Sequence, residues 1–269
     1  MVATILSLIF VSGFYPIACA ARSNRKATLL HAIAWAMTAW FFWSAANVLT
    51  AFQKESESSL VSLLALAFSG CASVAVLGAR RPGVVAWNFV IIALFLVMVF
   101  LWAEGMMAGN DAILRNVRTI LFASTVAIGV LNYLPTRLAP AALMLAIGCG
   151  LEIVMMTGSE SLQEKLEPAR PIGRLALASV PWIGFARMRW RPPARSEFDR
   201  VWLDFRDRFG LVWAQRLREQ FNASASHADW PVVLRWTGLR FIPGTRPPDP
   251  QDQEAMLDSL RALMKRFQT

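Results

Sequence analysis

The chain has 269 residues, 56% of them hydrophobic and only 17% charged, with a mean hydropathy of +0.44. Soluble domains carry about 25% charged residues, so this composition excludes an ordinary soluble globular protein. The net charge of +9, with 23 of the 27 basic residues being Arg, fits cytoplasmic membrane flanks without invoking any special partner.

A bilayer core about 30 Å thick needs about 20 apolar residues as helix. Six stretches meet that requirement, at residues 2–20, 28–49, 60–79, 84–103, 117–134 and 139–156. The first has no positive n-region, and Arg22, Arg25 and Lys26 follow it, so it reads as an uncleaved helix inserted with its N-terminus outside. A seventh stretch, residues 172–186, is short, contains Pro181 and is bracketed by Arg174 and Arg187. Snorkelling arginines extend it to span; otherwise it lies in the interface and six spans remain. The fold class expected is therefore an all-α polytopic membrane bundle (residues 1–188), followed by a basic, Pro-rich linker (189–195) and a small α+β tail domain (196–269).

Charge sets the orientation. The loops after the first, third and fifth spans carry Arg22, Arg25, Lys26, Arg80, Arg81 and Arg137 and no acid. The alternate loops carry as many basic residues, but also Glu55, Glu57, Glu104, Asp111, Glu160, Glu164 and Glu167. Arg187, Arg189, Arg191 and Arg195 follow the last apolar stretch. The positive-inside rule then puts the tail in the cytoplasm for either span count, and the N-terminus outside if there are seven. The location expected is a cell membrane.

Ionisable groups at membrane depth are functional candidates. Glu104, Arg115, Arg118 and Glu152 are expected to gather near one membrane face, as a substrate or proton site or as a structural ion-pair cluster. His31 stands alone in the apolar segments, and bis-His haem ligation needs two such residues. Ala65, Ser69 and Ser73, and likewise Ala142, Ala146 and Gly150, form small-residue ridges that allow helices to approach closely. Cys19, Cys71 and Cys149 fall in apolar runs with no metal-binding spacing. No motif for a metal, a cofactor or a catalytic centre is present; no metal or cofactor is expected, and the balance leans away from an enzyme.

In the tail, Ser196-Glu197-Phe198-Asp199 reads as a helix start, and apolar residues at 3–4 spacing continue to Phe221, with Gly210 as the weak point. Asn222 and the Ala/Ser stretch after it are expected to end that helix. Two β-prone runs flank Thr237-Gly238 as a hairpin turn, and a final amphipathic helix follows Asp249-Pro250, giving α-β-β-α. That register puts Arg235 opposite Arg240 on the exposed face, as an anion or lipid-headgroup site or as simply solvated cations. Basic and acidic residues intermingle in the tail, which speaks against nucleic acid. The partners expected are the lipid bilayer and a protein bound through residues 196–269. The functional reading is a membrane-anchored assembly, scaffold or regulatory protein. A small-molecule transporter is the alternative, and a lipid-modifying enzyme is the weaker third.

Overall fold

The computed structural model describes residues 2–52, 55–80, 83–107, 112–190, 194, 196–245 and 249–268. Arg81, Asp111, Arg191 and Arg195 fall outside these, as does most of the 189–195 linker. Eleven α-helices and one hairpin run in the order α1 (Val2–Ser12), α2 (Phe14–Ser23), α3 (Leu30–Ala51), α4 (Glu55–Ala75), α5 (Val84–Met107), α6 (Ala112–Tyr133), α7 (Ala139–Thr157), α8 (Glu160–Leu166), α9 (Arg170–Arg189), α10 (Glu197–His227), β1 (Val232–Arg235), β2 (Gly238–Phe241) and α11 (Pro250–Met264). Among the described residues, six helical stretches are long and apolar enough to cross a membrane, and they correspond to the six runs seen in the sequence. The chain is a multi-pass membrane protein.

The first run is one helix with a break. Pro16 has no N–H to return to the Ser12 carbonyl, and the helix turns at Gly13 between α1 and α2. There the Phe10 carbonyl accepts from both the Trp40 indole at 2.7 Å and the Gly13 amide at 3.0 Å. A Cβ on Gly13 would stand 2.7 Å from the Trp40 indole nitrogen, so only glycine admits this contact.

Small residues do set the close approaches, though not all at the expected positions. Ala65, Ser69 and Ser73 are buried on α4. Gly129 of α6 faces Ser73, and Gly70 of α4 faces Thr125 of α6. On α7 the close contact is made by Gly148, whose missing Cβ leaves room for Leu177 and the Gly173 carbonyl of α9, whereas Gly150 faces open space. The α7 ridge is therefore rotated from the Ala142/Ala146/Gly150 stripe, because its partner is α9. Phe10, Trp40, Trp43, Leu66, Met98 and Phe122 fill the middle of the bundle.

The tail departs most from expectation. Its α-β-β-α order holds, and Ser196 Oγ accepts from the Asp199 amide as the cap requires. But α10 continues through the Ala/Ser stretch to His227. The hairpin turns at Trp236-Thr237, with Arg235 paired to Gly238 and Val233 to Arg240. Above all, the tail's core is continuous with the end of the bundle. Trp202, Phe205, Phe209 and Trp213 of α10, with Leu260 and Phe267, join Leu29, Cys71, Ala75, Val76 and Ile91 of the bundle in one apolar cluster.

Candidate functional site

Two polar constellations are built into the fold, one at each end of the bundle. The first lies where α7 and α9 leave and return through the α8 connection. Glu152 and Arg174 are only 1% and 6% exposed, and Glu152 Oε1 lies 3.3 Å from Arg174 Nε. Arg174 Nη1 also donates to Thr50 Oγ1 of α3 at 3.1 Å. Thr50 Oγ1 is 2.6 Å from Ser58 Oγ of α4, and Ser58 donates on to the Ala46 carbonyl. One guanidinium thus ties four helices together. Among the described residues, Glu152 Oε2 and, one turn beyond Ser58 on α4, Ser62 Oγ are buried without a hydrogen-bond partner.

This arrangement differs from the expected grouping. Glu104, near the end of α5, and Arg115 and Arg118, in the first two turns of α6, do share the end of the bundle that holds Glu152. Among the described residues, however, no ion pair or hydrogen bond joins Glu104 or Arg118 to Glu152. The partner is Arg174, which the sequence reading treated only as a flank of the seventh apolar stretch. A signal was available. Helices α7 and α9 pack antiparallel, so residues equidistant from the turn meet, and Glu152 and Arg174 lie equally far from residue 163. A buried carboxylate must also find a cation, and Arg174 is the one this symmetry offers.

The second constellation locks the tail to the opposite end. Gly210 breaks α10 with φ +77° and ψ −168°, a conformation that only glycine adopts readily. Asn132, in the last turn of α6, fills the break. Its Oδ1 accepts from the Val212 amide at 3.1 Å, and its Nδ2 donates to the Phe209 carbonyl at 3.4 Å. The second half of α10 is therefore capped by a side chain from the bundle. Next to it, Tyr133 donates to the Arg208 carbonyl at 2.9 Å, and the Trp213 indole donates to the Val76 carbonyl at 3.0 Å.

Asp207, fully buried, collects donors from both parts. It accepts from Arg206 Nε and Nη2 at 3.0 and 2.8 Å, from the Arg137 amide at 3.2 Å and from Arg137 Nε in a short contact. Arg137 also reaches Asp204 at 3.3 Å. The Trp236 indole donates to the Pro135 carbonyl at 2.7 Å, and the Arg206 guanidinium lies over the Trp236 ring. Thr28 bonds to the Phe267 carbonyl through its amide at 3.1 Å and its hydroxyl at 3.2 Å, pinning the end of the chain to the start of α3.

Arg235 and Arg240 share the exposed face of the hairpin, but diagonally rather than directly opposite. The register differs by two residues from the expected one, and a shift of two preserves which face each side chain takes. The reason is Gly238. Its φ of +125° brings the strand against Asp199, whose Oδ1 accepts from the Leu239 amide at 2.8 Å. His31 Nδ1 pairs with Asn88 Nδ2 at 3.1 Å, linking α3 and α5. Among the described residues no three His, Cys, Asp or Glu side chains gather as a metal site. Comparison with family models, with curated proteins and with solved structures finds no match to this chain.

Proposed function

We propose that the chain is a membrane-anchored assembly or regulatory protein whose tail serves as a rigid cytoplasmic platform for a protein partner. The observation that carries this reading is the tail's shared core with the bundle, closed by Asn132 and Asp207. A tail held this firmly presents one surface in one orientation. One surface left open is the outer face of the hairpin, where Val233, Arg235 and Arg240 are exposed. An apolar centre flanked by two guanidinium groups suits a partner with an acidic rim.

The same reading takes α9 as a seventh span. Its 20 residues extend about 30 Å. Arg174 meets Glu152 near one end, and Arg187 Nε donates to the Arg137 carbonyl at 3.2 Å near the other. Seven spans put the N-terminus outside and the tail inside, where Arg22, Arg25, Lys26, Arg80 and Arg137 flank the membrane. Affinity purification of the tagged full chain, compared with Arg235→Glu/Arg240→Glu, tests the platform. The proposal expects a stoichiometric partner that the charge reversal releases. A partner retained at full yield would refute it.

A transporter is the second reading, favoured by the unpartnered Glu152 Oε2 and Ser62 Oγ in the bundle interior. Buried polar atoms of this kind mark sites where water or a solute completes the bonding. Proteoliposome uptake that vanishes in a normally assembled Glu152→Gln variant would support it.

A further inference from the structure

The seam between tail and bundle carries cations that the tail lock does not use. Arg80, just after α4, places its guanidinium 6.0 Å from the centre of the Trp213 ring. Arg216, one turn further along α10, places its own 5.3 Å from the same ring. The two groups therefore lie within about 11 Å of each other, by addition of the two distances. Neither forms an ion pair among the described residues. Glu219, three residues after Arg216 on α10, accepts from the Gln215 amide at 2.5 Å.

Beside these cations the surface is apolar. Leu211 and Val212 are each 37% exposed, although they follow the Gly210 break that seats α10 on α6. Trp213, itself buried, is anchored to the Val76 carbonyl just after α4. The seam is thus at the level where the apolar helices end. It offers two guanidinium groups without an ion pair among the described residues, and two exposed aliphatic side chains four and five residues before Arg216. Like charges brought together without a carboxylate are unfavourable until an anion joins them. A soluble anion would use the arginines and leave Leu211 and Val212 wet. A phospholipid uses both, with phosphate on the guanidinium groups and acyl chain on the aliphatic pair.

We propose that the seam formed by Arg80, Trp213 and Arg216 binds a phospholipid with an anionic headgroup. The lipid would fasten the tail cap to the leaflet it faces. This inference requires that the tail end lie at a membrane surface, and not that a protein partner exist.

The test uses the full-length chain purified in mild detergent. Phosphatidylglycerol, phosphatidylcholine or inorganic phosphate is added, and binding is read by native mass spectrometry and by thermal stability. Phosphatidylglycerol should be retained and should raise the unfolding temperature, while phosphatidylcholine should do neither. Arg80→Gln/Arg216→Gln should weaken retention roughly 30-fold, the factor that two near-surface guanidinium groups carry. Arg216→Gln alone alters an exposed side chain, keeps the fold, and should weaken retention about 5-fold on the same scale. Equal retention of the two lipids, or wild-type retention by Arg216→Gln, would overturn the proposal. Stabilisation by millimolar phosphate that displaces the lipid would overturn it too, since the site would then be one for free anions.

Discussion

Replacing Gly210 with Ala should release the tail from the bundle. At φ +77° and ψ −168° an alanine incurs about 1–3 kcal/mol of backbone strain. Its Cβ would also stand 2.8 Å from the Asn132 carbonyl oxygen and 2.5 Å from Asn132 Cγ. The carbonyl belongs to α6 and cannot yield cheaply, so the Asn132 amide or the α10 segment must move. Either movement breaks the bonds to Val212 and Phe209, at about 1 kcal/mol each. Together these terms favour undocking by about 3–5 kcal/mol. Limited trypsinolysis of the detergent-solubilised protein reads this directly, because cleavage in a locked region follows the population of its open form. Arg206 and Arg137 lie in the lock, and cleavage after them should accelerate at least about 100-fold, the factor that 3 kcal/mol carries. Gly150→Ala, where an added Cβ meets nothing within 4 Å, serves as the control and should leave cleavage unchanged. Cleavage at Arg206 within about threefold of wild type would refute the claim that Asn132 and Gly210 hold the tail.

Other outcomes follow from the same contacts. Arg174→Leu leaves Glu152 buried and unpaired and should lose about 3–5 kcal/mol, seen as collapse of the monodisperse peak in size-exclusion chromatography; Glu152→Leu/Arg174→Leu should recover much of it. Asp207→Asn strips the charge that faces Arg137 and Arg206, and should speed tail proteolysis without changing the Glu152 end. Tyr133→Phe removes a single hydrogen bond to the Arg208 carbonyl, so its effect should be near 1 kcal/mol and measurable as a small shift in thermal unfolding. A cysteine placed at position 57 in a background lacking Cys19, Cys71 and Cys149 should react with an impermeant maleimide from outside the cell; reaction only from the cytoplasm would exclude seven spans.

The bundle was legible because length and hydropathy act locally: about 20 apolar residues are enough to announce a membrane helix. The helix starts at Ser196 and Asp249 were legible for the same reason, since the cap and the amide it accepts are three residues apart. Pairings across the fold were not. Gly210 stood out as a weak point in an amphipathic helix, but the side chain that makes the break useful is Asn132, about 80 residues earlier. The hairpin was placed two residues off because Thr237-Gly238 has turn chemistry. The fold instead spends that glycine on the contact with Asp199, which no periodicity reveals. The apolar face of α10 was read as the core of a small independent domain. It packs on its own hairpin and α11, and also on the end of the bundle; the spacing is the same either way, so only the structure shows the second partner.

The placement of α9 shows how these long-range contacts change the meaning of a local signal. Its hydropathy is poor for a membrane helix, and Pro181 and Arg174 count against it. Yet Gly148 and Gly173 let α7 and α9 approach until Leu177 and Leu151 fill the spaces that side chains would occupy. Arg174 then neutralises the buried Glu152, and Arg187 reaches the Arg137 carbonyl on the loop that also holds Asp207. The charge that makes α9 unattractive to lipid is what fixes it beside α7. Arg137 connects that helix to the tail lock, since its carbonyl serves α9 while its guanidinium serves α10. A perturbation that shifts α9 must therefore disturb Arg137, and through it the orientation of the hairpin face. The two polar constellations sit at opposite ends of the bundle, and α9 contacts both.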